Sequence, residues 1–461
     1  MKYNDTIAAI STAFGNAGIA IVRISGNKSL AILKKVFKSQ NQRIKKLESH
    51  KLYYGQIISK KGKIIDEALV CYFKKPKSYT KEDMIEIHCH GGFITANKIL
   101  ERVLEEETRI ARPGEFTERA FLSGRLDLTQ AEAVADIIYA KSEKAQELAE
   151  EQLRGSLKTK IKSILRSILN TYSHILANID FPDEDIPEIK RKDIAKKISK
   201  PIEEMEEILT GVSLGTIYKE GFKVAIVGLP NAGKSSLLNS LVKDARAIVT
   251  DIPGTTRDII EEQIEIDGVL IRLFDTAGIT KAEDKVEKEG VLRSFKAIKN
   301  ANLLLIVLER LNDLEKFLEL TRTGVKNALK TKKVILARSK SDLRITQGEL
   351  VKPEYLEVVN FVESSAKNGK GIKKIERTIL GQVQKEDTKS SILLANLRQE
   401  HLLGKALKDL KKAKELSQKE ETEDKILVEL DSVISNLKEI IGEAVTDNIL
   451  EKVFSRFCVG K

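Results

Sequence analysis

The segment Val224-Ala-Ile-Val-Gly-Leu-Pro-Asn-Ala-Gly-Lys-Ser-Ser236 constrains this chain more than any other. It reads as a buried β-strand that runs into a tight loop and then a helix. Gly228, Gly233, Lys234 and Ser235 fit the pattern G-x-x-x-x-G-K-[ST]. Glycines at these points let backbone N–H groups close around phosphate oxygens. Lys234 neutralises the β and γ phosphates, and the Ser235 hydroxyl can ligand Mg²⁺. The positive end of the helix opening at Ser235 adds to the same field. The expected ligand is a nucleoside triphosphate, and the residues after the loop decide which one.

A chain of 461 residues holds roughly two to four domains and can bury a core without staples. Cys71, Cys89 and Cys458 are widely spread with no CxxC pair, which points to a reducing compartment and away from a zinc ribbon. No apolar run follows the basic start, and no stretch reaches the roughly 20 apolar residues of a membrane span, so a cytoplasmic protein is expected. The net charge of +11 favours a polyanionic partner such as nucleic acid, although the lysines are scattered among glutamates. Trp is absent and aromatics are few, so no stacking platform for single strands is evident.

Along the chain, residues 1–123 read as α+β. Ile19–Ile24 and Ala68–Phe73 are short apolar strands, and Met84–His90 alternates like a half-buried one. A helix is expected after Gly91-Gly92, with apolar residues at Ile94, Ile99, Val103 and Leu104. Arg112-Pro113-Gly114 is a turn. Residues 124–218 are helical, and Thr129-Gln-Ala-Glu132 resembles a capping box. Residues 381–461 are helical again. Between these blocks, residues 219–380 alternate apolar strands with helices, as in a doubly wound, mostly parallel sheet. The pattern predicts a multidomain α/β chain with the α/β unit inserted in a helical domain.

Four further pieces follow the phosphate loop in order. Thr250, Asp251, Ile252, Pro253, Gly254, Thr255 and Thr256 form a polar segment with threonines placed to reach Mg²⁺. Asp275, Thr276, Ala277 and Gly278 follow an apolar strand; the aspartate can hold the Mg²⁺ shell and the Gly278 amide can sense the γ phosphate. Ser339, Lys340 and Asp342 follow another strand, and a carboxylate at Asp342 can accept both N1–H and N2–H₂ of guanine. Ser365, Ala366 and Lys367 then offer backbone amides to the guanine O6. Order and spacing resemble the five motifs of translation-factor-type GTPases, so GTP is the expected nucleotide. The fourth motif usually opens with Asn; Ser339 is shorter and is not expected to make the same contacts to the loop and the base. The residue after Gly278 is Ile279, which cannot orient water as a glutamine would, so the catalytic group must come from elsewhere.

Several segments resemble the bacterial MnmE (TrmE) family of tRNA-modifying GTPases over essentially the whole chain. They are Gly228–Ser236, Gly254–Asp258, Ala111–Phe121, Leu126–Ala133, Asp180–Glu184 and the Cys-x-Gly-Lys ending at Cys458–Lys461. The resemblance implies that K⁺ replaces an arginine finger, held by Asn231 and by Thr250, Ile252 and Thr255. It implies Mg²⁺ at Ser235 and Thr256, and Glu287 as the distal carboxylate that positions water. The nucleotide contacts it implies begin with Asn231, Ala232, Gly233, Lys234, Ser235 and Ser236.

The same resemblance brings Arg23, Glu86, Arg125 and Lys461 together on a reduced folate, 5-formyl- or 5,10-methylene-tetrahydrofolate, in an α+β N-terminal folate-binding domain that also dimerises. Read alone, Arg23 in an apolar strand is a structural ion-pair partner. Cys458 reads as an inert thiol beside that site. In a strand His88 and His90 share a face and Cys89 points away, so no metal site is expected there. The family works as a homodimer with the flavoprotein MnmG (GidA), in a heterotetramer or larger complex, on C5 of the wobble uridine of certain tRNAs. It adds an aminomethyl or carboxymethylaminomethyl group there. The rival expectation is an Era- or Der-like ribosome-assembly GTPase without modification chemistry.

Overall fold

The structure is a computed structural model. It describes residues 5–13, 15–40, 47–181, 187, 189–244, 246–247, 261–275, 297–320, 326–343, 350–385, 394, 396–419 and 421–461. The chain forms two compact units. One comprises Met1–Ile138, Glu151–Ile198 and Lys408–Lys461; the other comprises Tyr139–Glu150 and Ser199–Leu407.

The first unit is built on a seven-stranded sheet of β1 (Ile7–Ile10), β2 (Ile19–Ser25), β3 (Phe37–Ser39), β4 (Leu52–Ile58), β5 (Ile64–Phe73), β6 (Met84–His90) and β7 (Arg109–Ile110). The order is β3-β4-β5-β6-β2-β1-β7. All pairings are antiparallel except β1 with β7. Alternation along β2 sends Ala20, Val22 and Ile24 into a core shared with Ile85 and Ile87 of β6, and with Ile99 and Val103 of the helix Phe93–Leu104. Ile94, expected on the apolar face of that helix, is exposed, because the buried stripe runs through Ala96, Ile99 and Val103 instead. The opposite sheet face carries the register Cys71↔Glu86↔Arg23.

The helices Leu128–Tyr139, Ser156–Asp180, Glu423–Ile441 and Asp447–Phe454 belong wholly or largely to this unit. The cap before Leu128 is not Thr129 but Asp127. Its Oδ1 accepts the Gln130 N–H at 3.0 Å, and Gln130 Oε1 accepts the Asp127 N–H at 3.1 Å. The reciprocal box therefore sits two residues earlier than the threonine suggested.

The second unit holds a second seven-stranded sheet of β8 (Phe222–Gly228), β9 (Arg246–Ala247), β10 (Glu261–Ile266), β11 (Val269–Asp275), β12 (Leu303–Leu308), β13 (Lys333–Arg338) and β14 (Val358–Glu363). The order is β14-β13-β12-β8-β11-β10-β9. Strands β8, β11, β12, β13 and β14 are parallel, as the alternation of strands and helices predicts, whereas β10 and β9 add an antiparallel edge that the apolar runs did not disclose. All six residues of β12 are buried, as a central parallel strand requires.

Candidate functional site

Strand β8 delivers the phosphate loop. At its end Gly228 adopts φ 155°, and a Cβ there would lie 2.3 Å from the Val307 carbonyl oxygen, so only glycine permits the approach of β12. Asn231 and Gly233 take left-handed φ values of 61° and 92°, and the helix Lys234–Asp244 follows. Lys234 is buried, with Nζ donating to the carbonyls of Leu229 at 2.9 Å and Gly228 at 3.3 Å. Burial pushes its pKa down, a cost that an anionic ligand reverses.

Parallel pairing of β11 with β8 puts Asp275 beside the loop. The Ser235 hydroxyl donates to Asp275 Oδ2 at 2.9 Å, while among the described residues the buried Asp275 Oδ1 has no hydrogen-bond partner. A hydroxyl and a half-satisfied carboxylate facing one another make a donor set suited to a hydrated divalent cation.

At the end of β13, Ser339 is buried. Its hydroxyl donates to the Ala232 carbonyl at 2.6 Å, with the Leu308 carbonyl at 3.2 Å. Serine lacks the amide of the usual asparagine, yet its hydroxyl still reaches the loop, because the Ala232 carbonyl lies within its range. Lys340 takes φ 51° and pairs with Glu309 at 2.7 Å. Asp342 Oδ1 accepts the Ser365 hydroxyl at 2.7 Å, which holds the carboxyl below its usual range. The Ser341 N–H donates to the Ser364 carbonyl, and Ser240 Oγ to the Ala366 carbonyl, tying the fifth motif to both the fourth and the phosphate-loop helix. Lys367 acts on the Asp342 carboxylate through its charge. Thr250, Asp251, Ile252, Pro253, Gly254, Thr255, Thr256, Thr276, Ala277, Gly278 and Glu287 lie outside the described residues.

A second site lies in the first unit. Arg23 donates from Nε at 3.0 Å and Nη2 at 2.8 Å to Glu86 Oε1, so the ion pair expected from the strand exists. Both side chains, with Arg125 and Lys461, line one cavity of about 740 Å³. The four residues lie up to 438 positions apart (461 − 23) and are assembled by register and by the docked C-terminal segment. Arg23 Nη1 donates to the Gly460 carbonyl at 3.3 Å, and the Phe116 N–H donates to the Lys461 carbonyl at 3.1 Å. Burial, and next Arg23, lower the pKa of Lys461.

Sequence reasoning missed Tyr79, over whose ring Arg125 stacks at 4.6 Å and which bonds Thr117 at 2.9 Å. It also missed His50 and the lysines of the mouth. Residues in a turn-rich loop carry no periodic signal that could have found them. Cys89 faces the core, His90 pairs with Asp66, and Cys458 is exposed and forms no disulfide among the described residues.

A mostly parallel sheet that gathers a buried loop lysine, a serine–aspartate pair and the Asp342 carboxylate at its strand ends defines a P-loop nucleotide-binding domain. Comparison extends this to the whole chain. The profile of the MnmE helical domain matches residues 128–458, and that of the GTP-binding protein TrmE N-terminus matches residues 6–125. A protein named tRNA modification GTPase MnmE from Thermoanaerobacter pseudethanolicus is 42% identical over 463 residues, with 99% of each chain covered. One of the same name from Clostridioides difficile is 41% identical over 466 residues, with 100% of each covered. Among solved structures, the G domain of the T. maritima FeoB iron transporter is 27% identical, with 35% of this chain and 99% of that chain covered at a TM-score of 0.25. The chain belongs to the MnmE family of tRNA modification GTPases.

Proposed function

We propose that this chain binds GTP, hydrolyses it in a cation-dependent way, and couples the cycle to modification of the wobble uridine of tRNA. The observation that carries the reading is the phosphate loop. Among the described residues, a buried lysine that hydrogen-bonds only backbone carbonyls, beside an Asp275 oxygen without a partner, is a site that a triphosphate with Mg²⁺ would complete. Ser235 and Thr256 would hold Mg²⁺. Asn231, Thr250, Ile252 and Thr255 would hold K⁺, whose charge stands where an arginine finger otherwise would. Glu287 would polarise the attacking water. Asp342, kept ionised, reads guanine.

The residues of the N-terminal cavity fit a reduced folate. Glu86 offers a carboxylate to the donor edge of a pterin, and Arg23, Arg125 and Lys461 offer charge to its glutamate. When bound, that folate supplies the one-carbon unit. Arg23 orients Glu86, and the Arg23 bond to the Gly460 carbonyl keeps Lys461 over the cavity. The sheet face that bears Arg23 also exposes Ile19, Leu52, Tyr54 and Leu69, an apolar surface suited to a second copy of the chain. The flavoprotein MnmG and tRNA complete the proposed assembly. Among the described residues no helix is long and apolar enough to cross a membrane. Full-length similarity to tRNA modification GTPases sets aside the ribosome-assembly reading.

The decisive test measures GTP turnover in K⁺ and in Na⁺ together with binding of 5-formyl-tetrahydrofolate. Turnover should be much faster in K⁺, and the folate should bind. Equal rates would reject the bound K⁺, and absence of folate binding would reject the reading of the cavity.

A further inference from the structure

We propose that the mouth of the N-terminal cavity holds a second subsite for a chain of carboxylates. Its preferred ligand is then a reduced folate with a poly-γ-glutamyl tail, not the single-glutamate form. The proposal rests on the folate reading above and concerns residues that reading leaves unused.

The loop between β5 and β6 carries Lys74, Lys75, Lys77 and Lys81, followed by Glu82 and Asp83. Both carboxylates are engaged elsewhere. Glu82 accepts the Ser25 hydroxyl at 2.7 Å and pairs with Arg119 at 3.2 Å. Asp83 accepts the Tyr72 hydroxyl at 2.8 Å and the Lys75 N–H at 3.1 Å. Neither is spent on a lysine side chain. Among the described residues the four ammonium groups form no ion pair, and Lys81 Nζ donates only to the Ser123 carbonyl, at 3.1 Å. The loop therefore shows solvent an uncompensated positive charge.

Two of these lysines, Lys77 and Lys81, line the cavity itself, so its wall carries Arg23, Lys77, Lys81, Arg125 and Lys461 against the one carboxylate of Glu86. Glu86 is already bound by Arg23. A single-glutamate folate brings too few carboxylates to meet all of these cations. Lys77 is exposed, which puts it at the mouth, and its neighbours on the loop continue the positive charge outward. A tail leaving the cavity past Lys77 and Lys81 would meet one cation after another. Such exposed pairs are individually weak and screened by salt, so the gain depends on several acting together.

The test titrates the full-length protein with mono- and pentaglutamyl 5-formyl-tetrahydrofolate by calorimetry, at low and high salt. The pentaglutamyl form should bind about tenfold more tightly at low salt, and the difference should shrink as salt rises. In a Lys77→Ala/Lys81→Ala variant most of the preference for the pentaglutamyl form should be lost. The melting temperature verifies that the variant is folded, and the Gln pair replaces it if the Ala pair is not. Equal wild-type affinities would overturn the tail subsite and leave the folate reading standing. Binding of neither form would overturn the folate reading itself. A preference that survives in the variant would remove Lys77 and Lys81 from the subsite.

Discussion

The Ser339 hydroxyl donates a 2.6 Å hydrogen bond to the carbonyl of Ala232, so the Ser339–Asp342 motif is fastened directly to the phosphate loop. The two residues are 107 positions apart, and both are buried. Loss of this bond leaves a buried carbonyl without that donor, at a cost of about 1–2 kcal/mol. Ser339→Ala should accordingly weaken GTP and GDP binding alike, by about 5- to 30-fold. Fluorescent-nucleotide titration measures this, and unaltered affinity would show that the bond does not support the loop.

Asp342 is fixed by Ser365 with its carboxyl held below the usual range, so it accepts hydrogen bonds at any ordinary pH. Guanine presents two donors to it, whereas xanthine has a carbonyl in place of the exocyclic amine. Asp342→Asn keeps the shape and adds a donor, so preference should move from GTP toward xanthosine triphosphate. Competition between the two nucleotides reads the change directly; a variant that still selects GTP would show that Asp342 does not read the base.

Glu287 carries the proposed water-positioning role, and Ile279 cannot substitute for it. Glu287→Ala should slow GTP hydrolysis by about 10²- to 10⁴-fold while nucleotide affinity stays near normal. Loss of binding along with turnover would assign Glu287 to structure instead.

How much of this was legible depends on whether the signal is local. Strand β12 was legible as an apolar run because all six of its side chains are buried and apolar. Strand β10, Glu261–Ile266, was not, because its glutamates break the apolar run of an edge-side strand. The phosphate loop was legible because its chemistry is written in consecutive residues. Arg23 and Glu86 came together only through the β2–β6 register, and family resemblance had to point to them. The Ser339 contact depends on where the Ala232 carbonyl sits, which no residue pattern records.

Gly460 has φ 97°, and a methyl group on it would lie 2.2 Å from the Ile10 carbonyl oxygen. Backbone cannot yield as a flexible side chain would. Gly460→Ala should therefore lift the C-terminal segment from the sheet and break the Arg23 bond to the Gly460 carbonyl. Folate affinity should fall by about tenfold or more, given a strain of about 1–3 kcal/mol. GTP affinity, measured in parallel, checks that the second unit is intact. Full folate affinity in the variant would detach the C-terminal segment from the site.

Glu115 is fully buried at the start of the helix Glu115–Leu122. Burial alone would raise its carboxyl pKa. Hydrogen bonds from Arg109 at 2.5 Å, the Arg112 N–H at 2.9 Å and Arg119 at 3.0 Å outweigh that and hold it at about 2 instead of its ordinary 4.5. A depressed carboxyl contributes stability that is complete above 4.5 and is lost as pH falls from there toward about 2. The size of the shift corresponds to about 3 kcal/mol. Glu115→Gln leaves Arg109 and Arg119 without that charge and should cost about 3 kcal/mol near neutrality. Because the wild type forfeits the same term in acid, the gap between the two proteins should narrow toward about pH 3. Urea unfolding of both, followed across that range, supplies the comparison. A constant gap would show that Glu115 stabilises the helix by shape and not by its ionisation.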